Sequence, residues 1–128
     1  MTAENVFTET YDLLTNIGVV STRKEFNRDW LGVSEGYFRC LRFNNKQPST
    51  QTLATCSSKL KHYSMLFAQR SDTESKVIAN NFSSLATRLD SIIHTKSKSK
   101  WLSIMERVEA EAMCCKCYLL ANKCCSDF

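Results

Sequence analysis

Five of the seven cysteines in this 128-residue chain fall close together: Cys114, Cys115, Cys117, Cys124 and Cys125. On a helix, Cys114, Cys117 and Cys124 share one stripe at i, i+3 and i+10, and a stripe of thiolates could bind zinc or sense oxidants. The spacing matches no zinc knuckle and no histidine is near. Cysteine is also a small buried hydrophobe, so packing and thiol chemistry both stay open, and no cofactor is expected. The odd count in a chain of this length points to reduced thiols and a cytoplasmic setting. The two histidines, His62 and His94, stand far apart without a Ser/Asp or Cys arrangement that suggests a triad. Neither a glycine-rich phosphate loop nor a paired-carboxylate motif is present. The expectation is a protein that is not an enzyme.

Charge gives a second lead. The net charge of +4 is modest for a nucleic-acid binder, so its distribution matters more than its size. Residues 21–63 hold eight bases, among them Arg23, Arg28, Arg39, Arg42 and Lys46, against three acids (Glu25, Asp29 and Glu35). Residues 1–20 hold only acids, Glu4, Glu9 and Asp12. The hydrophobic fraction of 43% and charged fraction of 23% fit a folded globular chain rather than a disordered one. No apolar run is long enough for a membrane span, and the first ten residues lack the basic and apolar regions of a secretory signal.

The elements that must position these residues read as helices. Glycine occurs only at Gly18, Gly32 and Gly36, and the single proline is Pro48, so residues 49–128 contain neither breaker. No strand-and-turn alternation appears. A first helix is expected over about Glu4 to Asn16, with Phe7, Tyr11, Leu14 and Ile17 on one face and Gly18 as its stop. Thr22 to Glu25 has capping-box spacing and opens a second helix, with Phe26 and Trp30 inward and Gly32 breaking it. Ser34 is expected to cap a short third helix that buries Phe38 and Leu41. A polar connection over Phe43 to Gln47 leads to Pro48-Ser49 and a fourth helix carrying Leu53, Cys56, Leu60, Tyr63 and Phe67. Ser71 to Glu74 is a second capping box, ahead of Ile78, Phe82, Leu85, Leu89 and Ile92. Thr95 to Lys100 reads as a basic connector, and a last helix follows from Trp101 to about Cys124. These two C-terminal helices would form a hairpin, which must pack elsewhere or on a second copy to bury its apolar stripes.

The stretch Leu31 to Leu60, LGVSEGYFRCLRFNNKQPSTQTLATCSSKL, resembles the Cro/CI-type helix-turn-helix of phage repressors. The Leu31-Gly32-Val33-Ser34 turn, Phe38, Leu41, Pro48-Ser49, Leu53 and Leu60 stand at that family's spacings. The second helix is one residue longer than the family's, and Asn27 or Arg28 stands where a small residue is common. The Trp-Leu-Gly-x-Ser core also resembles an uncharacterised family of short bacterial proteins.

The helical pattern gives an all-α fold with an antiparallel helical hairpin over 71–128, and the resemblance implies a phage-repressor-like helix-turn-helix bundle over residues 1–70. It implies a dimeric, sequence-specific transcription regulator that reads double-stranded DNA. Ser34 would open the helix entering the major groove, with Glu35, Gly36, Tyr37, Arg39 and Arg42 outward. Arg39 suits a guanine contact, because arginine pairs bidentately with that base. Arg42, Asn44, Asn45 and Lys46 suit phosphates, and Tyr37 could stack on sugar or base. Two alternatives stand beside this reading. One is an adaptor that docks a protein through the hairpin, and the other is a thiol- or zinc-responsive regulator that uses the terminal cysteines.

Overall fold

Thr2 has a hydroxyl that accepts the Asn5 amide at 3.3 Å, and this cap starts α1 (Ala3–Asn16). In the computed structural model of the chain, the backbone is described for residues 2–122 and side chains for residues 2–111. α1 buries Val6, Phe7 and Leu14. Thr10 is buried with them because its hydroxyl donates to the Val6 carbonyl at 2.7 Å. The helix ends where Gly18 takes φ +79°: the Gly18 amide donates to Thr15 O and the Val19 amide to Leu14 O. That paired closure needs a left-handed residue, and glycine adopts it without steric cost.

Thr22 caps α2 (Arg23–Phe26) by accepting the Glu25 amide at 3.2 Å, while the Glu25 carboxylate reaches past the cap to the Ser21 amide. The helix then widens into a π-helical turn over Asn27–Leu31. Such a turn absorbs one residue more than regular α geometry would hold, which accommodates the extra length noted in the sequence. Gly32 closes it at φ +68°, with its amide donating to the Asn27 carbonyl.

The third helix, α3 (Tyr37–Phe43), starts later than expected. Ser34 does not cap it; the Ser34 carbonyl accepts the Tyr37 amide at 3.2 Å, and Gly36 holds the cap position without a side-chain bond. Glycine is costly inside a helix by about 1 kcal/mol relative to alanine, so Glu35-Gly36 stays a turn. Phe38 and Leu41 are half-buried rather than buried, and Phe43 is 89% exposed.

Pro48 is fully buried ahead of α4 (Thr50–Ala68), and the Ser49 hydroxyl caps that helix by accepting the Thr52 amide at 3.2 Å. α4 sends Leu53, Cys56 and Leu60 into the core. The last helix, α5 (Thr73–Asn122), is capped by Asp72, not by Ser71: its carboxylate accepts both the amide and the hydroxyl of Ser75. α5 is continuous through Thr95 to Lys100, where a hairpin connector is expected. Lysine and serine are tolerated inside helices and no glycine or proline interrupts them, so basic character alone does not make a break. The expected antiparallel hairpin is therefore corrected to one helix. Among the described residues the chain is all-helical, with no strand.

Two compact units divide the chain, Met1–His94 and Thr95–Phe128. In the first, Phe7, Leu14, Phe26, Trp30, Leu60 and Phe82 are core members drawn from α1, the α2–π segment, α4 and α5. Each such side chain, once buried, contributes about 1.5–3 kcal/mol. In the second, the α5 side chains Trp101, Ile104, Met105 and Val108 are exposed at i, i+3, i+4 and i+7.

Polar cross-links complete the first unit. The buried Ser57 hydroxyl donates to Asp90 Oδ1 at 2.6 Å, and Lys61 Nζ lies 2.6 Å from Asp90 Oδ2. Partial burial pushes the Asp90 carboxyl up, but the Lys61 ammonium and the Ser57 hydroxyl outweigh it and hold the group below its ordinary value. A pKa lower in the folded than in the unfolded chain stabilises the fold above the unfolded value, about 3.9 for aspartate. That contribution is lost as pH falls through the folded value. Asp29 and Asp72 are lowered as well, so Asp90→Asn should remove only part of the acid dependence. Urea midpoints measured between about pH 5 and pH 3 should fall less steeply for that variant than for the parent; identical slopes would show that Asp90 has no share.

Candidate nucleic-acid interface

α3 presents Arg39 and Arg42 three residues apart, a spacing that places both on one helix face. Both are exposed, and among the described residues no ion pair engages either of them or Lys46. Lys24, on α2, is likewise exposed and outside any ion pair, whereas the four remaining cations of the basic block are occupied. Arg28 is bound to Asp29 at 2.8 Å and Lys61 to Asp90. Lys59 donates to the Asp29 carbonyl at 2.7 Å while lying over the Trp30 ring. Arg23 lies 4.3 Å from the Tyr11 ring centroid. Three of the block's four uncommitted cations, Arg39, Arg42 and Lys46, thereby stand on and after α3.

The neighbouring residues divide in their roles. Ser34 and Glu35 are exposed in the turn ahead of α3, with Gly36 half-buried. Tyr37 is not turned outward: its hydroxyl accepts the Ser49 amide at 3.1 Å and shares a 3.2 Å hydrogen bond with Thr52 Oγ1. Through that hydroxyl it ties α3 to the start of α4. The amide side chain of Asn44 donates to Cys40 O at 2.9 Å. Asn45 takes φ +52°, and the Lys46 amide donates to Leu41 O at 2.8 Å. Asn44 and Asn45 thus form the C-terminal cap of α3, while the Lys46 side chain, four residues after Arg42, is exposed.

The same arginines border a cleft of about 320 Å³ formed by α1, the α2–π segment and α3. Phe7 and Phe38 meet edge to face in its wall, with ring centroids 5.8 Å apart. Arg23, Glu4 and Asn27 also line it. Linear spacing gave no sign of this grouping, since residues 4, 23, 27 and 39 converge only when three helices pack. The buried Oδ1 of Asn27, which has no hydrogen-bond partner, is visible only in three dimensions.

The cysteine proposals meet the structure only in part. Cys40 is exposed; Cys56 is buried, and burial pushes its thiol up to about 12, which keeps it protonated and unreactive. The side chains of Cys114, Cys115 and Cys117, and all of Cys124 and Cys125, lie outside the described residues. Among the described residues no group of three or more His, Cys, Asp or Glu side chains could hold a metal ion. Nor is any helix among them long and apolar enough to cross a membrane.

A family described as being of unknown function, DUF6626, matches residues 7–102. No curated protein and no solved structure matches the chain.

Proposed function

Because the chain belongs to DUF6626, a family of unknown function, we propose its role from the helices themselves: a dimeric, cytoplasmic DNA-binding regulator of the Cro/CI helix-turn-helix type. The observation that supports this most is the pair of unpaired arginines on one face of α3. They follow a tight turn at Gly32, whose left-handed backbone permits two helices to cross. In this reading α3 enters the major groove, Arg39 contacts a base edge, and Arg42 and Lys46 contact phosphates. The second copy is seated on the exposed Trp101–Val108 stripe, since one isolated helix cannot bury its own apolar face.

Phosphate contacts displace condensed counterions, so affinity must fall as salt rises. With about four phosphates neutralised per dimer, anisotropy on a random duplex should show roughly a hundredfold loss between 50 and 200 mM salt. Binding that stays level over that range would overturn the reading. The exposed stripe and the exposed acid Glu35 favour a second reading, a protein adaptor with this fold. An adaptor would show no DNA binding at micromolar protein in low salt.

A further inference from the structure

The cleft beside α3 has more chemistry than a DNA-facing surface requires. Arg39 and Arg42 bring two uncommitted guanidiniums to it, Arg23, which lies over the Tyr11 ring, brings a third, and Glu4 and Glu35 bring two carboxylates. Among the described residues none of these five makes an ion pair. Half-buried Phe38, backed edge to face by the buried Phe7, supplies an apolar wall. Asn27, 4% exposed, lines the same cleft with its Oδ1 buried and without a partner. A buried amide oxygen left unpaired costs about 1–3 kcal/mol, so this amide has hydrogen-bonding capacity that the fold does not use.

We infer that this cleft binds a purine nucleoside 5′-monophosphate bearing an exocyclic amine. Each part of such a ligand has a complement here. The guanidiniums bind phosphate through paired N–H donors. Glutamate carboxylates accept ribose hydroxyls, as acidic side chains do in dinucleotide sites. Aromatic side chains are sequence-tolerant partners for a base. The unpaired Asn27 Oδ1 is an acceptor for the exocyclic amine on the edge of adenine. A simple anion would use the arginines alone, meet repulsion from Glu4 and Glu35, and leave Asn27 unpaired. The cleft volume also falls at the small end of the range that small-molecule sites occupy.

The inference does not depend on DNA binding, because it concerns the free protein. Calorimetric titration of the full chain with adenosine 5′-monophosphate, purine riboside 5′-monophosphate and inorganic phosphate tests it. The adenosine compound should bind at least about tenfold more tightly than the analogue without the amine, because a site that pairs a polar group rejects its absence. It should bind roughly a hundredfold more tightly than phosphate, which uses the arginines alone. Arg42→Gln, an exposed substitution outside the core, should weaken the adenosine compound about tenfold through loss of one charged hydrogen-bonding group. Equal affinity for all three probes, no saturable heat with the adenosine compound, or an unaltered affinity in Arg42→Gln would each overturn it.

Discussion

Trp30→Ala should lower the unfolding free energy by about 3–5 kcal/mol, the usual loss when a buried aromatic is cut to a methyl group. Trp30 is placed to show the full effect. It is 2% exposed, stacks at a tilt on Tyr63 with centroids 5.3 Å apart, and meets Phe82 at 6.4 Å. It therefore joins the π segment to α4 and α5 at once. The Lys59 ammonium lies 4.7 Å from the same ring centroid and would lose that partner. Domains of this size have only about 5–15 kcal/mol of net stability, so the loss is a large share of the total. Urea denaturation followed by far-ultraviolet circular dichroism is the suitable measure, because Trp101 would confuse a fluorescence signal. A loss below about 1 kcal/mol would mean that the cavity is refilled and that Trp30 is no keystone.

Arg39→Ala should reduce affinity for a selected operator about 5- to 150-fold, the equivalent of one bidentate base contact worth about 1–3 kcal/mol. The loss should be confined to operators with the preferred base at one position, and variants at that base pair should bind parent and mutant alike. Lys46→Ala should behave differently, weakening all sequences evenly and lowering the salt slope by about one. Because Arg39 is exposed and makes no ion pair among the described residues, the thermal midpoint should not move. Full affinity in Arg39→Ala would remove α3 from the interface.

Much of the helical framework was legible because each boundary has a local cause. Thr22, Ser49 and the glycines at 18 and 32 act through backbone hydrogen bonds within a few residues, and such signals are present in the chain itself. The failures share the opposite property. Thr95 to Lys100 looked like a connector because of its charge, yet a helix ends for backbone reasons and this segment contains none. Ser34 looked like a cap, but Gly36 two residues on decided where α3 begins. Tyr37 looked exposed on its helix face until Ser49 and Thr52, more than ten residues away, claimed its hydroxyl. The candidate site followed the same division: Arg39 and Arg42 were named on the helix-turn-helix resemblance of Leu31 to Leu60, whereas Asn27 and Glu4 join them only through packing.

The wide turn at Asn27–Leu31 has a consequence for chain length. In an unbroken α-helix the angular phase of every residue is locked to its number, at about 100° per residue. Removing one residue there would swing everything downstream out of alignment. A turn that already holds a surplus residue works as slack. Loss of Arg28, exposed within it, would let the segment tighten into α geometry while Phe26 and Trp30 both kept their inward phase. Asn27, the first residue of that slack, is the one whose buried Oδ1 has no hydrogen-bond partner. The surplus residue thus lets a polar side chain face the cleft without drawing either aromatic neighbour out of the core.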